Sequence, residues 1–146
     1  MTGSAALTEA RLWLGTAYVH QASAKGAGCD CLGLLRGVWR ALYGAEPVQV
    51  PAYTSDWSEA SGDEVLWAAA ARHLTRKTLR DEAAGDVLLF RMRERGVAKH
   101  LGIAGDVGAA PTFVHAYNGH GVIESALSAP WRRRIVARFS FPEGSR

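Results

Sequence analysis

The hydrophobic period of this chain changes halfway along. Up to about residue 74, apolar residues recur at three- and four-residue spacing; from Asp86 onward they come in short runs bounded by Gly, Pro or Asn. Helices first and strands after define an α+β domain with segregated layers. A first helix is predicted from Ala5 to Leu14, with Leu7, Leu12, Trp13 and Leu14 on its apolar face and Gly15 as its stop. Residues 15–28 are rich in Gly, Ala and Ser and read as a loop. A second helix is predicted from Cys31 to Tyr43, with Leu34, Leu35, Val38, Trp39 and Leu42 at helical spacing, Asp30 as N-cap and Gly44 as stop. Pro47 and Pro51 punctuate the next loop, and a third helix runs from about Asp63 to Leu74. Five strands are expected after it: Val87–Phe90, Ala98–Ala104, Pro111–Tyr117, Gly121–Ser125 and Arg134–Phe139. They suit an antiparallel sheet on which the N-terminal helices pack.

Composition narrows the class. A chain of 146 residues is one domain's worth, no linker divides it, and 48% apolar residues suffice for a core. Two cysteines exclude a disulfide-stapled miniprotein, and no apolar run approaches the ~20 residues of a membrane span. The net charge of +3 is mildly basic and suits an acidic partner without specifying one. The N-terminal stretch has no basic n-region and carries Glu9 and Arg11 among its apolar residues, so it does not read as a secretory signal.

Cys31 carries the chemistry to weigh first. A helix N-terminus presents unpaired N–H groups and the positive end of a dipole, which favour a thiolate and can hold an oxyanion. The alternative is a buried, inert cysteine. Cys29 reads as an incidental loop cysteine, because no second cysteine pair exists to complete a zinc site. A nucleophilic cysteine needs a base and the base an orienting group. His100 opens one strand and His115 lies within the next, so both side chains can share one face. His73 in its alanine-rich helix and His120 in a turn read as surface residues, while His20 lies in the loop upstream of Cys31. Arg91, Arg93, Arg95, Lys99, Arg132, Arg133, Arg134 and Arg138 read as a solvated face, or as a surface attracted to anionic polymer.

The segments GTAYVHQASAKGAGCDCLGLL, AAGDVLLF, HLGIAG and FVHA, in that order over about residues 15–125, resemble the NlpC/P60 family of cysteine peptidases. That family's blocks read G-T-x-Y-x-W-G-G, D-C-S-G-L, P-G-D-L-x-F, H-V-G-I-Y and F-I-H-A. The loop form H-Q-A-S-x-x-G-x-G-C-D-C-L-G-L is similar to a subgroup from phages and gene transfer agents, where the enzyme is a tail-associated cell wall peptidase.

The resemblance implies a compact papain-like fold with Cys31 as nucleophile, His100 as general base and His115 as the polar residue that orients it. Tyr18, Asp30 and His20 fall at cleft positions and are candidate substrate contacts. Leu32 stands where the family has serine, and His20-Gln21-Ala22 stands where it has W-G-G. The implied substrate is a peptidoglycan stem peptide, cut near the γ-D-glutamyl–diamino acid bond. The implied partners are tail-tip or baseplate proteins of a phage-like particle, which would deliver the protein to the target cell's wall. No metal, cofactor, nucleic acid or membrane insertion is expected. Two alternatives stay open: a catalytically silent tail component, and an acyltransferase on the same fold. A nucleic-acid-binding module has no recognisable motif here, and the tryptophans and tyrosines suit core positions better than a base-stacking face.

Overall fold

The computed structural model describes residues 2–50, 53 and 62–143. Pro51 and Trp57 lie outside the described residues. The elements run α1 (Thr2–Leu12), β1 (Ser23–Ala24), β2 (Gly28–Cys29), α2 (Cys31–Tyr43), α3 (Val65–His73), β3 (Thr75–Lys77), β4 (Val87–Arg91), β5 (Ala98–Ala104), β6 (Thr112–Tyr117), β7 (Gly121–Ala126), α4 (Ala129–Arg132) and β8 (Ile135–Ser140). This is the expected α+β architecture. No helix of the described residues is long and apolar enough to cross a membrane.

Helix α2 is the pivot. Asp30 caps it, accepting the Gly33 N–H at 2.7 Å, and Gly44 ends it with φ 91°. Leu34 and Val38, one turn apart, are 1% and 0% exposed against the sheet. Burying each is worth about 1.5–3 kcal/mol. Two glycines let neighbouring chain approach closely. A Cβ at Gly33 would sit 1.8 Å from the Ala22 carbonyl oxygen, and one at Gly37 would sit 2.0 Å from the Trp13 ring.

Helix α1 begins and ends earlier than its sequence pattern predicts, and its buried stripe differs. Ala6, Ala10 and Trp13 face the core, while Leu12 is 60% exposed and Leu14 43% exposed. The turn that follows Leu12 swings Trp13 inward, continuing the three- and four-residue spacing from Ala6. The Gly-rich loop carries the small β1–β2 hairpin, pairing Ser23 with Cys29 and Ala24 with Gly28.

The main sheet has six strands in the order β3-β8-β4-β5-β6-β7, every pair antiparallel. Five were expected; β3 is the addition, only three residues long and too short for a period to show. Helix α4, four residues long, is also additional. The alternation of each strand separates two faces. One packs against the helices through Val87, Leu89, Leu101, Ile103, Val114 and Ala116. The other carries Leu88, Phe90, Ala104 and Phe113, covered by Leu127 and Trp131. Arg138 is not part of a solvated face: it is 2% exposed, and its Nη1 donates to Asp86 Oδ2 at 2.7 Å. Lys77 Nζ lies 2.9 Å from the same oxygen, so one buried carboxylate joins β3 and β8 to the start of β4.

Candidate active site

Cys31 is the first residue of α2 and is 7% exposed. Its thiol meets the backbone of β5 outside the stretch where β5 pairs with β6. Those strands pair only at Ile103–Val114 and Ala104–Phe113. Beyond these pairs the Lys99 carbonyl accepts the Cys31 thiol, with sulfur and oxygen 3.9 Å apart. The Leu101 N–H also points at the sulfur. The thiol therefore meets the backbone on both sides of His100, rather than hydrogen-bonding the His100 ring. Burial pushes the thiol up to about 12, and the neighbouring Asp30 charge adds to the shift.

His100 projects from the opposite face of β5. It pairs across the strands with Phe90, whereas Leu101 pairs with Leu89 on the helix face. His100 Nε2 and His115 Nδ1 are 2.8 Å apart, and His115 Nε2 lies 2.9 Å from Ser125 Oγ. His115 is fully buried and His100 is 7% exposed. Phe90, Phe113, Tyr117 and Trp131 enclose the two rings, with the Trp131 centroid 5.8 Å from His100 and 5.2 Å from His115. Burial pulls His100 down to about 3 and His115 down to about 4; the neighbouring imidazole deepens the first shift and His120 the second.

The loop residues gather around Asp30. Tyr18 forms a parallel bridge with Cys29, half-buried beside Cys31. Burial raises its hydroxyl to about 12, with the charges of Cys31 and Asp30 contributing. Asp30 is 2% exposed and both its oxygens are engaged. Oδ1 caps α2; Oδ2 accepts the Gln21 N–H at 2.7 Å and the Tyr53 hydroxyl at 2.5 Å. His20 Nδ1 stands 3.7 Å from Oδ2, and His20 Nε2 lies 3.0 Å from the Tyr53 carbonyl oxygen. A carbonyl only accepts, so His20 Nε2 is the donor in that bond. Gln21 Nε2 donates to the same carbonyl at 2.6 Å. Tyr18, Asp30 and His20 thus belong to one cluster at the start of α2, and Asp30 spends its hydrogen bonds within the protein.

A largely apolar cavity of about 500 Å³ adjoins this cluster, walled by Leu32, Leu35, Trp39, Tyr53, Leu66 and Leu101. Leu32 follows Cys31 in the chain and Leu101 follows His100. Cys29 is fully buried in the core. His73 is half-buried on α3, and His120 is exposed and stacks on Tyr117 with centroids 5.3 Å apart. Sequence reading misses Tyr53 and Ser125. The Ser125 signal was the Asn118-Gly119 turn, which fixes the β6–β7 register; Tyr53 had none, because it reaches Asp30 from 23 residues away.

Together these elements define an α+β protein in which a cysteine at a helix start meets a strand whose buried histidine bonds a second histidine on the next strand. No family model matches the chain, and no curated protein matches it. Solved structures do, and the fold is that of NlpC/P60 proteins. A protein described as similar to lipoprotein, NLP/P60 family, from Staphylococcus aureus is 18% identical with a TM-score of 0.63, over 98% of this chain and 42% of its own. An NlpC/P60 family protein from Bacillus cereus is 14% identical with a TM-score of 0.64, over 93% of this chain and 39% of its own. Ly7917, in a structure with the hydrolyzing product of MDP, is 17% identical with a TM-score of 0.63, over 97% of this chain and 63% of its own. The chain therefore spans between 39% and 63% of the lengths of these proteins.

Proposed function

We propose that this protein belongs to the NlpC/P60 family and is a cysteine peptidase that hydrolyses amide bonds in peptidoglycan stem peptides, near the γ-D-glutamyl–diamino acid bond. One observation carries the proposal: the thiol of Cys31, at a helix N-terminus, abuts the strand that carries His100, and His100 is hydrogen-bonded to His115 at 2.8 Å. The NlpC/P60 fold and the hydrolysed MDP held by Ly7917 support the substrate class. The loop motif around Cys31 supports a protein carried on a phage-like tail, with tail-tip or baseplate proteins as partners and the target cell's wall as its site of action.

In this mechanism His100 takes the Cys31 proton and the sulfur attacks the amide carbonyl carbon. The oxyanion that forms is met by backbone N–H groups at the start of α2. The amide C–N bond breaks as His100 returns the proton to the leaving nitrogen. Water then attacks the thioester, releasing the acid and restoring the thiol. The cycle starts from a neutral pair, since burial disfavours both thiolate and imidazolium. His100 and the thiol lie on opposite faces of β5 in the free protein, so the proton transfer requires a rearrangement on substrate binding that is larger than the usual tightening of a catalytic hydrogen bond.

The test is incubation with peptidoglycan sacculi and defined muropeptides, beside Cys31→Ala, with products identified by mass spectrometry. A new free amine at one stem-peptide bond, absent with the variant, is the expected result. Equal cleavage by Cys31→Ala would reject the assignment. A second reading, a catalytically silent tail component, is favoured by the bond from the thiol to the Lys99 carbonyl. Iodoacetamide labelling of Cys31 separates the two. In the peptidase the rate falls in His100→Ala; in a silent component it does not.

A further inference from the structure

The histidine pair does not end at His115. Strands β6 and β7 pair Phe113 with Ser125 and His115 with Ile123, so Ser125 sits diagonally across from His115 on the same face. Its hydroxyl oxygen lies 2.9 Å from His115 Nε2. His115 is 0% exposed, and Phe113, Tyr117 and Trp131 pack around its ring. Among the described residues, its two nitrogens have one side-chain partner each: His100 on Nδ1 and Ser125 on Nε2. A neutral imidazole has one donor and one acceptor, so the direction of one bond dictates that of the other.

We infer that Ser125 is a positioning residue: its hydroxyl accepts the Nε2 proton of His115 and so sets both rings in the tautomer that leaves His100 Nδ1 free. The inference rests on the peptidase reading for the role of that free nitrogen. His100 Nε2 is occupied by His115, so a base can use only Nδ1, and Nε2 must carry the proton. His115 Nδ1 then accepts, His115 Nε2 carries a proton, and Ser125 Oγ receives it. Ser125 is half-buried, so its own proton can be given to solvent. The opposite direction, with Ser125 donating, would leave a proton on His100 Nδ1 and no unprotonated nitrogen free on that ring.

The test is long-range proton–nitrogen NMR of the histidine rings, which reads tautomers without substrate. In the wild type both His100 and His115 should carry the proton on Nε2. Ser125→Thr keeps the hydroxyl and should keep that pattern. Ser125→Asp, which only accepts when ionised, should keep it above the pH at which that carboxyl protonates and raise the pH at which the pair protonates. Ser125→Ala should move a measurable population of both rings to the Nδ1 proton. It should also lower kcat about tenfold to hundredfold, the size seen for the outer partners of metal-bound histidines, with KM within about twofold. A wild-type His100 protonated on Nδ1, or a Ser125→Ala spectrum unchanged from wild type, overturns the inference even if stem peptides are cleaved. If the tautomers move as described and no peptide is cleaved, the role of Ser125 is upheld and the peptidase reading falls instead.

Discussion

On the helix-covered face of the sheet, Leu89, Leu101, Ile103 and Val114 meet Leu34, Val38 and Trp13, and packing there is almost wholly apolar. On the opposite face Phe90, Phe113, Tyr117 and Trp131 are just as tightly arranged, yet they surround two imidazoles. The first face loses stability by lost area and opened cavity; the second also loses it by protonation. Cys31 is the one member of the proposed triad that arrives from the first face, and its thiol meets the β5 backbone next to His100. A helix residue thus touches the backbone of the strand whose His100 side chain points to the other face.

Removing Cys31 or His100 is the severest way to break the comparison. Cys31→Ala and His100→Ala should each lower turnover on muropeptides by on the order of 10⁶-fold, the loss seen when a nucleophile or its base is deleted from a hydrolase. Cys29→Ser should retain turnover, since Cys29 lies within the core rather than at the helix start. Comparable losses from Cys29→Ser would move the nucleophile. Leu34→Ala tests the apolar face by itself. Leu34 is 1% exposed, and the substitution should cost about 2–5 kcal/mol in chemical denaturation. The His100 and His115 tautomers should be unchanged in that variant, because its cavity opens on the other side of the sheet.

Acid should single out the histidine face. Burial leads the depression of both His100, to about 3, and His115, to about 4, while in the unfolded chain both titrate near 6.5. Between those values the unfolded state binds more protons, so stability rises with pH there. The stabilisation is full above about pH 6.5 and is lost progressively as pH falls toward 4. From pH 7 to pH 5 the loss should reach roughly 2–4 kcal/mol, since each unit of differential protonation is worth about 1.4 kcal/mol per group. Denaturation midpoints at the two pH values measure it. His120→Gln, on an exposed turn, should leave most of the dependence in place. An equal midpoint at both values would mean the imidazoles are hydrated.

These contrasts show why some features are legible in the chain and others are not. Helix α2 is legible because its apolar spacing, its Asp30 cap and its Gly44 stop agree. Strand β5 is legible to the residue because HLGIAG is bounded by turn chemistry on both sides. Helix α1 is misjudged because Leu12 and Leu14 look core-facing, while it is the alanines at positions 6 and 10 that are fully buried. Arg138 resembles its exposed neighbours in sequence; only the return of β8 beside β4 brings it to Asp86. Tyr53 and Ser125 escape for the same reason, since their roles arise from chain closure and strand register rather than from local pattern.

The smallest expected effect lies at Gln21, where the NlpC/P60 motif that this segment resembles has glycine. Among the described residues it is the non-glycine residue with positive φ, at 68°. A side chain there costs about 1–2 kcal/mol relative to right-handed backbone. Against that stands the bond from Gln21 Nε2 to the Tyr53 carbonyl, which contributes about 0.5–1.5 kcal/mol. Glycine would relieve the strain but forfeit that bond and raise the entropy of the unfolded chain by about 0.5–1 kcal/mol. The terms nearly cancel, so Gln21→Gly should shift the denaturation free energy by less than about 1 kcal/mol. Gln21→Ala keeps the strain and loses the bond, so it should be the less stable of the two. If Gln21→Ala matches the wild type, the side chain contributes nothing to holding Tyr53, and the tyrosine is kept over Asp30 by its own hydroxyl and by His20.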